Sequence, residues 1–155
     1  MLIEILKRAD GGGPLRCTRD DGSVTWQKQI RHSVFFATHD LTHFSVETAL
    51  GYTTGFFGLI AQGWDIDETT GKGTRGPAPK EAIEVEKIVG LLDTERASGA
   101  LIEVQEFNLL APRKLTQAEL DAVRKLRAEL FAKWSAVKPG EALKLAFEVA
   151  RPVGS

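Results

Sequence analysis

Strand-like alternation stands at both ends of this chain, and helical periodicity fills the middle. Near the N-terminus, Leu2-Ile3-Glu4-Ile5-Leu6 is short and rich in branched apolar residues, and the stretch from Ala9 to Pro14 must turn. Leu15-Arg16-Cys17-Thr18 and Val24-Thr25-Trp26-Gln27 then alternate on either side of Asp20-Asp21-Gly22-Ser23. Asp21-Gly22 predicts a hairpin closed by a type I′ turn, whose two central residues take positive φ. Leu143 to Val149 alternates again and should join the N-terminal sheet. The economical architecture is one α+β domain over residues 1–155: a small antiparallel sheet, made of the N-terminal hairpin and the C-terminal strand, packed with four to five helices on one face. A chain of this length buries roughly two-thirds of its unfolded surface, enough for a sizeable core.

The helices are read from periodicity and caps. Thr38 can cap a helix running to about Leu50, with Gly51 following as a left-handed stop. A shorter helix is expected from Gly55 to Gln62, closed by Gly63, and another from about Pro79 to Arg96 with Val85, Ile88, Val89 and Leu92 on one face. Leu101 to Leu110 should hold a short helix late in the segment. Thr116-Gln117-Ala118-Glu119 is a capping box, and Leu120, Val123, Leu126, Leu130, Trp134 and Val137 follow it at helical steps until Lys138-Pro139-Gly140 stops the run. Asp65 to Pro79 reads as loop, at roughly fifteen residues long for a compact domain. Trp26 and Trp134 fit apolar faces; Trp64 belongs near a pocket mouth.

Composition narrows the function classes. Twenty basic and twenty-one acidic residues give a net charge of −1, so no cationic surplus supports nucleic-acid binding. The opening residues are too short and too charged for a signal peptide, and the apolar run around Phe56 to Ala61 is far below the roughly 20 residues of a membrane helix. Cys17 is the only cysteine, which suits a reducing cytoplasm.

Chemistry concentrates in one place. All three histidines, His32, His39 and His43, lie close together. On a helical wheel with His39 at 0°, His43 falls at about 40°, Glu47 at about 80° and Asp40 at about 100°. Val46 and Leu50 border this stripe on one side and Phe44 and Leu41 on the other, so its ionisable groups are expected to be buried. Buried charge requires partners. Three arrangements would supply them: a divalent metal, a metal-free hydrogen-bonded network, or acid/base chemistry without an ion. In the first, His39, His43 and Glu47 are ligands, His32 is a further ligand or an acid/base, and Asp40 is a general base or orients a histidine. Histidine with carboxylate suits zinc first, with iron, nickel or manganese also open. Lys72 and Arg75, in the loop Gly71-Lys72-Gly73-Thr74-Arg75-Gly76, would then clamp a small anionic substrate. A positive helix N-terminus close to His39 would work against a cation there.

His39-Asp40-Leu41-Thr42-His43 resembles the HExxH motif of zinc peptidases, with Asp40 in the place of the general-base glutamate. It also resembles the HDxxH motif of the zinc-containing ubiquinone-biosynthesis proteins, with Gly51-Tyr52 and Gly58-Leu59 echoing the Gly-punctuated apolar sequence after the motif in that family; that resemblance implies a metal motif. The ligand glutamate expected twelve residues after the second histidine is Gly55 here. Over its whole length the chain is similar to bacterial proteins of unknown function that share its Phe-Phe, His-Asp-Leu-Thr-His and Gly-Phe-Phe-Gly-Leu-Ile segments. The expected activity is that of a metal-dependent hydrolase or lyase. The alternative is a non-catalytic small-molecule-binding or homodimeric interaction protein with a structural histidine network. Phe35-Phe36 and Phe56-Phe57 carry a large apolar load, and any part left exposed would mark a dimer face or an apolar ligand groove.

Overall fold

The protein is described by a computed structural model covering residues 1–27 and 35–149. Strands β1 (Leu2–Leu6), β2 (Leu15–Thr18) and β3 (Val24–Gln27) precede helices α1 (Phe35–Leu50) and α2 (Phe56–Ala61). A 3-10 helix (Ile66–Thr70), α3 (Lys80–Ser98), α4 (Val104–Leu110), α5 (Gln117–Ala136) and β4 (Ala142–Ala146) complete the order. The strands form one antiparallel sheet in the order β3-β2-β1-β4, so the C-terminal strand pairs with β1 as expected. No helix among the described residues is long and apolar enough to cross a membrane.

Helix α1 is the centre of the molecule, packing against α5, α3 and α2. Its Ala37, Leu41 and Phe44 join Ile3, Ile5, Leu15 and Cys17 of the sheet and Leu130 and Trp134 of α5 in one core cluster. Further along, Val46 joins Val85, Ile88, Val89 and Leu92 of α3 with Leu120 and Val123 of α5 in a second. α5 begins on the capping box foreseen at Thr116 and Glu119, with both reciprocal bonds formed.

Three local expectations are corrected. The β2–β3 hairpin forms, but its turn is not type I′: among the described residues no non-glycine has positive φ, so within this turn Gly22 alone is left-handed, at φ 85°. Gly22 N–H donates to Arg19 C=O and Arg19 N–H to Ser23 C=O, a three-residue loop whose last member is left-handed. The extra loop residue pairs Trp26 with Arg16 rather than Cys17, and a one-residue shift turns a side chain to the opposite face. Trp26 is therefore 55% exposed and stacks on the Arg16 guanidinium instead of entering the core. Second, α1 already includes Phe35, so Thr38 lies inside it, donating its hydroxyl back to the Phe35 carbonyl. Third, the expected loop after Asp65 contains the 3-10 helix.

A Cβ at Gly22 would meet nothing within 4 Å, so only the backbone opposes a side chain there. Gly22→Ala should lower stability by about 1 kcal/mol, the cost of holding a non-glycine residue left-handed. Urea denaturation with an unchanged slope reads this directly, and an unaltered midpoint would contradict the turn.

Candidate metal centre

His39 and His43 are four positions apart, a little more than one helical turn, so both rings leave the same side of α1. Their centroids lie 4.9 Å apart, nearly perpendicular. Apolar packing between α1 and α3 brings two acids to that side. Glu86 Oε1 lies 3.1 Å from His43 Nε2, and Asp93 Oδ2 lies 2.7 Å from His39 Nδ1. Glu86 and Asp93 are seven residues apart, two turns of α3, and so share one face. One donor atom each from His39, His43 and Glu86 falls within 4.8 Å of the others.

These donors suit an ion. Ligands about 2 Å from a tetrahedral zinc stand roughly 3.3 Å apart, so the cluster must contract slightly. Glu86, with 58% of its side chain exposed, has the freedom to do so. The histidines are more fixed. Phe35 stacks on His39 and Phe56 lies against His43, both at 5.2 Å between centroids, giving a row of four rings.

Each histidine also has a carboxylate on its Nδ1 side. For His39 it is Asp93. For His43 it is Glu47, whose Oε2 lies 3.5 Å from Nδ1, an ion-pair distance too long for a good hydrogen bond. Glu47 has a second task. Its side chain is fully buried, and it accepts the backbone N–H of Phe57 at 3.3 Å and of Gly58 at 3.1 Å, tying the start of α2 to α1. A Cβ on Gly55 would stand 2.6 Å from the Glu47 carboxyl. The Glu47 carboxyl thus occupies the space that a side chain at position 55 would need.

Burial disfavours charge on His43, but the Glu47 and Glu86 carboxylates outweigh it and push its pKa up to about 10. Partial burial raises Glu86, and its contact with His43 more than offsets this, leaving it below the ordinary carboxylate value. Asp40 is buried, its Oδ2 has no hydrogen-bond partner among the described residues, and burial pushes its pKa up to about 7 against the attraction of His43 and His39. Cys17 is buried too; burial, with the Asp40 charge adding to it, pushes the thiol up to about 12, which leaves it an inert core residue.

Of the residues singled out from the sequence, His39, His43, Glu47 and Asp40 all belong to this neighbourhood, and His32 lies outside the described residues. His39 falls in the second turn of α1, not the first, so the helix dipole opposes a cation less than the sequence implied. Lys72 is exposed on its loop, its backbone N–H donating to Thr70 Oγ1. Arg75 pairs with Glu68, donates to the Gly63 carbonyl and lies over the Trp64 ring. Glu86 and Asp93 were not anticipated. The available signal was two acids two turns apart beside the apolar face of α3, obscured by Glu81, Glu84 and Glu95 on the same helix. No protein-family model matches the chain, and no curated protein or solved structure matches it.

Proposed function

We propose that this protein is a divalent-metal enzyme of the hydrolase or lyase class, with His39, His43 and Glu86 as ligands and zinc as the favoured ion. The observation that supports this best is the backing of both rings: Asp93 stands 2.7 Å from Nδ1 of His39 and Glu47 3.5 Å from Nδ1 of His43, while Nε2 of His43 faces Glu86. Carboxylate–histidine–metal relays are built this way, the outer acid fixing the tautomer and raising ligand basicity. Two histidines and one carboxylate leave coordination positions open, as catalytic rather than structural sites do. A bound zinc would supply a water ionisable near neutral pH and polarise a substrate carbonyl. Asp40, with a buried oxygen lacking a partner among the described residues, is the proposed proton carrier.

A second reading is favoured by Glu47 itself. It holds α2 and faces His43 at once, as a carboxylate in a purely structural network would. The protein would then be a non-catalytic binding or homodimeric interaction protein.

Elemental analysis separates the two. Wild type offered zinc and then desalted should retain close to one equivalent, and Glu86→Ala and His43→Ala should retain little. Because Glu86 is largely exposed, Glu86→Ala should melt like wild type in chelator, which distinguishes loss of a ligand from loss of the fold. Wild type that retains none of zinc, iron, nickel or manganese would retire the metal reading.

A further inference from the structure

The sequence left open whether the Phe-Phe segments cover a dimer face or line a groove, and the structure favours a groove for one of them. Phe56, Leu59, Ala78, Ala82, Ile83 and Glu86 surround a cavity of about 220 Å³. It adjoins the candidate metal centre through two of these side chains: Phe56 lies against His43, and Glu86 is 3.1 Å from the same ring. We infer that this cavity receives the apolar limb of the enzyme's substrate, an aliphatic or small aromatic group joined to a head that coordinates the ion. This rests on the metal reading above.

The character of the wall sets the limb's chemistry. Glu86 is its only ionisable member among the described residues. Thr69 and Thr70 also line it, but their hydroxyls donate to the Ile66 and Asp67 carbonyls of their own 3-10 helix, so neither hydroxyl proton is left for a ligand. The remaining surface is aromatic and aliphatic. Such a pocket gains by taking apolar groups out of water and offers no cation for a second anionic group. The one acid sits at the end nearest His43, where an ion would neutralise it. At about 30 Å³ for each water-sized unit, the volume holds about seven heavy atoms, a chain of five or six carbons or one phenyl ring.

The test compares two zinc-binding probes, acetohydroxamate and hexanohydroxamate, by calorimetric titration of the zinc-loaded protein. Four extra methylenes should strengthen binding about a hundredfold if the tail enters the cavity. Ala82→Phe, which fills the cavity from α3, should erase that advantage while leaving zinc content and acetohydroxamate affinity unchanged. Ala78→Leu, on the less buried loop side, should reduce the advantage and serves should Ala82→Phe fail to fold. Equal affinities for the two probes on zinc-loaded wild type would overturn the cavity assignment and leave the metal site standing. An advantage that persists in both filled variants would overturn it as well. Failure of wild type to retain zinc would overturn the metal reading, and the proposed substrate head with it.

Discussion

Glu47→Ala should destabilise the protein by about 3–5 kcal/mol, the range for removing one partner of a buried charged pair. The carboxylate is fully buried and serves three groups: the N–H of Phe57, the N–H of Gly58 and His43. Without it two buried backbone donors lose their acceptor, at about 1–3 kcal/mol each before relaxation, and His43 loses one of two flanking acids. Glu47→Gln should fall between, since the amide oxygen accepts one N–H while its NH2 faces the other donor. Gly55→Ala should resemble Glu47→Ala, because the new Cβ would stand 2.6 Å from the carboxyl. Combining the two should cost less than the sum, as they damage one contact. Urea unfolding of the four variants gives these values, and a loss under about 1 kcal/mol for Glu47→Ala would mean that the carboxylate does not hold α2.

Local signals were readable where one segment decides the outcome by itself. The capping box at Thr116 fixes the start of α5 through bonds that stay within four residues. The strands were equally visible, but their register was not. Asp21-Gly22 as a two-residue turn would place Trp26 opposite Cys17, in the core. The three-residue loop places it opposite Arg16, in solvent. Residue chemistry alone separates those turns poorly, since Gly22 satisfies both. The start of α1 was misplaced for a similar reason: Thr38 has the chemistry of a cap, but apolar Phe35 and Phe36 ahead of it extend the helix and its hydroxyl turns back to Phe35.

The candidate site divides in the same way. Helical spacing alone puts His39 beside His43, so that pair was legible from the sequence. Glu86 and Asp93 reach it only because Val85, Ile88, Val89 and Leu92 pack α3 onto the neighbouring helices, and no spacing within α1 carries that information. Glu47 was placed correctly on the stripe, but its bonds to α2 depend on how Gly55 to Gly58 folds back, a tertiary outcome.

Asp93 provides the sharpest test of the relay. Asp93→Ala should weaken zinc binding by about 10–100-fold, the usual consequence of removing the acid behind a ligand histidine. Where zinc saturates wild type, that loss removes about 1.4–2.7 kcal/mol of metal-derived stability. The informative quantity is the melting shift between zinc and chelator, because damage to packing changes both curves and cancels. Asp93→Asn keeps an acceptor for His39 Nδ1 and should recover part of the shift, with the remainder reporting the missing charge. If Asp93 only packs α3 against α1, all three proteins will show the same zinc-induced shift. If His39 needs it as a ligand's support, the order will be wild type, Asp93→Asn, Asp93→Ala. Glu86→Ala should give the smallest shift of all, since on the proposed assignment it removes a ligand itself rather than the group behind one.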